Sequence, residues 1–223
     1  MTNNDKWTAV DDYFGEWLSP PDPALDAALA ANEAAGLPHI DVTPSQGKFL
    51  HLIARLSCSR KILEIGTLGG YSTIWLARAL PEDGRLITLE ASARHAEVAR
   101  SNIARAGLSA IVDLRLGPAL ETLPQLEREN VAPFDLIFID ADKASNAEYL
   151  KWALRLSRRG SVIIVDNVVR DGAVVESGNA DPDIQGIRRM FEMMANEPRL
   201  SGTALQTVGK KGYDGFVFAL VTT

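Results

Sequence analysis

Apolar and polar positions along this chain change period repeatedly, and the changes mark out alternating helices and strands. Trp7, Val10, Tyr13, Phe14, Trp17 and Leu18 recur at helical spacing before Pro20, Pro21 and Pro23 interrupt them. A second helical stretch runs from Leu25 to Ala35 and stops at Gly36. A third, Pro44 to Leu56, carries Phe49, Leu50, Ile53, Ala54 and Leu56 on one face, with Thr43 placed to cap it and Pro44 at its first position. Beyond it the period switches between two and 3.6. Strands are predicted over 61–65, 85–89, 111–116, 134–139, 161–165, 203–208 and 216–221, and helices over 72–80, 93–106, 119–129, 144–156 and 184–195. This alternation predicts an α/β fold, a doubly wound seven-stranded sheet in one domain over 1–223, with residues 1–41 as a helical lead-in. No helical pattern separates the last two strands, so one of them should run antiparallel. The lead-in aromatics suit packing against the core, a cover over the sheet edge, a partner interface or a pocket wall.

The first strand ends in a turn with Gly66, Gly69 and Gly70. Glycines there let the backbone approach a ligand in the crevice beyond the carboxyl ends of parallel strands. Glu90 closes the second strand, about 20 residues past that turn, where an acid accepts hydrogen bonds from ribose hydroxyls. Glu64 lies inside the first strand, and a charge there needs a structural hydrogen bond to the turn or a cationic part of the ligand. The spacing is not the G-x-G-x-x-G of nicotinamide enzymes, which counts against an oxidoreductase.

A second set of acids stands at later strand ends. Asp140 ends one predicted strand, and Asp166 with Asn167 ends the next. Parallel neighbours joined by one helix bring those ends together, and two carboxylates with an amide suit Mg²⁺ or a similar hard cation. Asp142 fits a helix cap. Lys143 begins a helix, where the dipole disfavours positive charge; it is either a proton acceptor in the site or the ion-pair partner of Asp140 or Asp142.

Composition narrows the partners. The 223 residues are 46% hydrophobic and 23% charged, an ordinary globular balance. The net charge of -6 and the lack of a basic run argue against nucleic acid. No apolar run approaches a membrane span and no leader pattern opens the chain, so a cytoplasmic protein is expected. Cys58 is the only cysteine and reads as core filler.

The blocks LEIGTLGGYSTIWLARAL (63–80), TLEASARHAEVARSNIARAGL (88–108), FDLIFIDADK (134–143), VDNVVRDG (165–172) and VGKKGYDGF (208–216) together resemble the cation-dependent O-methyltransferases, the group of catechol and caffeoyl-coenzyme A O-methyltransferases and their bacterial relatives. The resemblance implies a Rossmann-like methyltransferase sheet and S-adenosylmethionine as donor. It puts Glu64, Gly66, Thr67, Gly70 and Ser72 around the donor's amino acid and turn, Glu90 on the ribose, Ala119 near the adenine, and Val42 and Asp140 by the methionine end. It makes Asp140, Asp166 and Asn167 the metal ligands, and Lys143 with Asp140 the catalytic residues. The implied acceptor is a small phenol, catechol-like or hydroxycinnamoyl-type, and the implied assembly a homodimer. A metal-independent small-molecule methyltransferase is the alternative. Close bacterial relatives tend to carry tyrosine where this chain has Asn146, which bears on acceptor preference.

Overall fold

In the computed structural model, which describes residues 2–223, the lead-in forms helices α1 (Asn3–Leu18), α2 (Pro23–Ala34) and α3 (Pro44–Leu56). Then β1 (Lys61–Ile65), α4 (Tyr71–Ala77), β2 (Arg85–Glu90), α5 (Ala93–Arg105), β3 (Val112–Leu116), α6 (Ala119–Arg128), β4 (Phe134–Ile139), α7 (Asn146–Arg155) and β5 (Ser157–Asp166) alternate. Helix α8 (Pro182–Ala195) precedes a closing hairpin of β6 (Leu200–Gly209) and β7 (Gly212–Val221). The starts obey the capping chemistry expected of them. Thr43 Oγ1 accepts from the Gln46 amide at 3.2 Å, and Asp22 Oδ1 accepts from the amides of Ala24 and Leu25 at 3.0 and 3.1 Å ahead of Pro23.

One sheet takes all seven strands in the order β3-β2-β1-β4-β5-β7-β6. The first five are parallel, and β7 runs antiparallel to both of its neighbours. The chain winds outward from β1 to β3 and then returns to β4, so the crevice for a ligand opens between the carboxyl ends of β1 and β4.

Strand alternation supplies two cores. Ile62, Leu86, Leu136, Phe138 and Ile164 meet Leu50, Ile74 and Leu76 from α3 and α4 on one face. Leu63, Ile65, Ile87, Ile137, Ile139 and Ile163 meet Leu126, Leu150 and Ile187 from α6, α7 and α8 on the other. Each such side chain contributes about 1.5–3 kcal/mol on burial, so the central strands are the fixed frame.

Three expectations change. Helix α1 buries none of its residues: Tyr13, Phe14 and Trp17 are 60, 47 and 68% exposed, because α1 lies outside the sheet against β6 and α3 instead of filling a core. Cys58 is exposed in a left-handed turn after α3 and fills no core. Asp142 makes no side-chain cap; its carboxylate accepts the hydroxyl of Tyr149. No helix of the described residues is long and apolar enough to cross a membrane.

Candidate active site

The turn after β1 is held from below and from the side. Gly66 has φ +99°, and a Cβ there would stand 2.2 Å from the Asp140 carbonyl oxygen, so only glycine lets the β1 and β4 ends close up. Gly70, at φ +84°, opens α4. Below the turn, the fully buried Glu64 carboxylate accepts three hydroxyls, from Ser72, Thr73 and Thr88 at 2.7, 2.5 and 2.7 Å. Thr67 and Thr88 share a further hydroxyl contact of 2.6 Å. Burial pushes the Glu64 carboxyl up to about 7 against the pull of those hydroxyls. From the side, Glu90 Oε2 accepts from the amides of Thr67 and Leu68 at 3.3 and 2.8 Å, and Oε1 accepts from Ser92 at 2.9 Å.

A cavity of about 640 Å³ lies over this turn. Val42, Gly66, Thr67, Ser72, Glu90, Ala119, Asp140, Lys143 and Asn167 all reach its wall. Glu64 and Gly70 do not; they support it from beneath. A second cavity, about 790 Å³, is lined by Val42, Phe49, Asp166, Asn167 and Lys211 among others. The two share Ile40, Asp41, Val42, Asn167 and Arg170, so the loop 40–42 and the end of β5 stand between them.

The strand-end acids sit at that junction. The Asp140 amide donates to the Ile65 carbonyl at 2.8 Å, fixing the end of β4 against β1. Lys143 Nζ, almost wholly buried, donates to Asp140 Oδ1 at 2.7 Å, which settles its ion-pair partner as Asp140. Asp166 Oδ2 accepts from Gln46 Nε2 at 2.6 Å and Oδ1 from the Asn167 amide at 2.9 Å. Burial, and next the charge of Asp140, push the Asp166 carboxyl up to about 7. Asn167 takes a left-handed φ of +55° as it leaves the strand. Asp140 and Asp166, with Asn167 on the wall shared by the two cavities, supply two carboxylates and an amide, hard donors of the kind that fit a divalent cation. Among the described residues no group of three or more His, Cys, Asp and Glu side chains stands together for a metal, so the amide is essential to this set.

Several site residues escaped the sequence reading. Tyr71, His95 and Tyr149 line the first cavity and Gln46 the second. Asn32 Nδ2 donates to Asp41 Oδ1 at 2.8 Å, and Asn102 Nδ2 donates to Asn32 Oδ1 and the Gly69 carbonyl at 3.1 and 2.9 Å, so a buried amide pair ties the loop 40–42 to the glycine turn. The available signal was an amide in the apolar phase of a helix, Asn102 following Ala96 and Ala99. Asn146 is fully buried at the start of α7, and neither side-chain polar atom has a partner among the described residues.

Fold and cavity together define an α/β enzyme with a nucleotide-type site at its strand ends. The family model described as O-methyltransferase matches residues 24–217. The catechol O-methyltransferase of Niastella koreensis is 52% identical over 219 residues, 98% of this chain and 99% of that one. An O-methyltransferase from Bacillus cereus, solved in complex with SAH, superposes with a TM-score of 0.97 at 58% identity, over 98% of this chain and all of that one. The O-methyltransferase TomG from Streptomyces achromogenes, involved in tomaymycin synthesis and solved in complex with SAM, gives a TM-score of 0.97 at 51% identity over the whole of both chains. The chain belongs to the S-adenosylmethionine-dependent O-methyltransferase family.

Proposed function

We propose that this protein transfers the methyl group of S-adenosylmethionine to one hydroxyl of a small phenol with adjacent hydroxyls, assisted by a divalent cation, magnesium first. The observation that carries it is the placement of Asp140 and Asp166 at the ends of the paired strands β4 and β5, one on the wall of each of two adjoining cavities. The first cavity takes the donor and the second the acceptor. In this reading Gly66, Thr67 and Ser72 approach the donor directly, Glu90 accepts from the ribose, Ala119 borders the adenine and Val42 covers the methionine end. Glu64 and Gly70 act through the turn they support.

Asp140, Asp166 and Asn167 would hold the cation, which would supply Lewis acidity to the acceptor hydroxyl. The donor supplies a sulfonium methyl, whose carbon–sulfur bond breaks as the carbon–oxygen bond forms, leaving a neutral thioether. Lys143 Nζ is the group assigned to receive the proton of the acceptor hydroxyl. Asp140 holds Lys143 at 2.7 Å, so the base and one wall of the donor cavity are fixed together.

A metal-independent transfer is favoured by one observation: Lys143 and Gln46 already meet the two carboxylates. Methyl transfer to catechol in excess EDTA, with and without added Mg²⁺, decides between them. Loss of turnover in EDTA, its return with Mg²⁺, and the same loss in Asp166→Ala with SAH affinity kept are expected; full activity in EDTA removes the cation. The same reading takes the chain as a cytoplasmic homodimer, supported by the lone thiol of Cys58 and by the exposed aromatic face of α1.

A further inference from the structure

Among the described residues, the acceptor cavity carries one lysine or arginine that no carboxylate claims. Its acids are engaged: Asp11 with the Lys210 amide, Asp166 with Gln46, Asp41 with Asn32, and Asp214 with the amides of Val169, Arg170 and Gly215 at 3.0, 3.1 and 2.9 Å. Of its cations, Lys210 meets Asp12 at 3.1 Å and Arg170 lies 3.7 Å from Asp183. Lys211, in the turn between β6 and β7, differs from both. Its ammonium meets only main-chain carbonyls, those of Asp41 and, at 3.5 Å, His39, and no carboxylate stands within ion-pair distance among the described residues. An ammonium has three donors, so at least one is left for the cavity. Lys211 stands on the wall of this cavity, and partial burial draws the lysine below its ordinary range against the pull of Asp41, Asp140 and Asp166.

Resting on the acceptor reading above, we propose that Lys211 is a specificity-determining residue that receives a carboxylate carried by the acceptor, so that the preferred substrates are dihydroxyaromatic acids. The apolar ring has Val42 and Phe49 to lie against, and Phe49 stacks obliquely on Phe216 with ring centroids 5.1 Å apart. The hydroxyl end then points to Asp166 and Asn167, and the acid end to the hairpin turn. A neutral or cationic tail would leave the ammonium without an anion.

The test uses protocatechuic acid, its neutral amide and dopamine as acceptors, with kcat/KM measured for each. The wild-type enzyme should prefer the acid over the amide by about tenfold, as one charge-assisted hydrogen bond gives. Lys211→Met should bring that ratio to about one through KM, Lys211→Arg should keep it, and Lys211→Glu should turn the preference toward dopamine. SAH affinity by calorimetry reports that each variant is folded. Equal wild-type use of acid and amide overturns the proposal while leaving the methyl-transfer reading intact. So does an equal loss on both acceptors in Lys211→Met, which would make Lys211 only a tie for the loop 39–41. Failure of all three acceptors overturns the reading beneath it instead.

Discussion

The cavity over the β1 turn and the cavity beside β7 share a wall at Asp41, Val42 and Asn167, yet they are built in opposite ways. The first rests on central strands buried on both faces, and its two acids, Glu64 beneath and Glu90 on the wall, each accept three hydroxyl or amide donors. The second is closed by a loop, a hairpin turn and an edge strand, β6, whose residues are almost all exposed. Backbone geometry fixes the first; a few long side chains, Gln46, Arg170 and Lys211, decide the second. Chemistry common to a family belongs on the rigid half, and choice of acceptor on the half where a side chain can change without moving a strand.

The contrast is broken most forcefully at the base. Lys143→Met should lower kcat by about 10²–10⁴ while SAH affinity stays within about threefold, because the proton acceptor is lost while the glycine turn and Glu90 keep their places on the cavity wall. Single-turnover methyl transfer with calorimetry of SAH reads both, and an unchanged kcat would take Lys143 out of the mechanism.

A smaller effect should come from the element behind that lysine. Gly186 of α8 lies so close to the Lys143 turn that a Cβ would stand 2.2 Å from the Lys143 carbonyl and 2.6 Å from the Ala144 Cα. Gly186→Ala must therefore push α8 and the turn apart, at a cost of about 1–3 kcal/mol in stability and roughly tenfold in kcat. Gly178→Ala, where a Cβ meets nothing within 4 Å, serves as the control. Equal behaviour of the two variants in urea unfolding and turnover would show the packing to be slack.

On the donor side the supporting acid should be visible in stability. Glu64 has a folded pKa raised from 4.5 to about 7. The folded state thus binds a proton that the unfolded state has released between those values, and stability conferred by the protonated form is lost as pH rises through that window. The thermal midpoint of the donor-free protein should fall more steeply from pH 5 to pH 7 than that of Glu64→Gln, whose neutral amide does not titrate. Parallel slopes would mean that the three hydroxyls already hold Glu64 as the anion at pH 5.

Most of the fold was legible because the central strands are buried on both faces and read as short apolar runs, KILEI in β1 and FDLIFI in β4 each broken by one buried acid. The strand-end acids were legible for the same reason: an acid closing such a run has few structural uses. Two kinds of residue were not. Asn32 and Asn102 look like surface amides until α2 and α5 are packed together, since a helical period alone does not distinguish a polar residue facing the core from a solvated one. Trp17 misled in the reverse direction. Aromatics at helical spacing define a face but not what covers it, and α1 turns that face away from the sheet.

That face gives the smallest effect expected within one protomer. Trp17 is 68% exposed and Tyr13 stacks on it only edgewise, at 6.3 Å between centroids. The helix is held instead by its far side, where Asp11 accepts from the Lys210 amide at 2.8 Å and Lys210 reaches Asp12 at 3.1 Å. Replacing Trp17 by Ser should then change the unfolding free energy of dilute protein by no more than about 0.5 kcal/mol, as for an exposed position. If a second copy covers the aromatics, light scattering should give the mass of a dimer for the wild type at high concentration and a shift toward the monomer for Trp17→Ser, because an exposed tryptophan is the kind of anchor on which such contacts depend. A wild-type monomer at every concentration would sink the dimer, while a large loss of stability in dilute Trp17→Ser would return α1 to the core from which its exposure removes it.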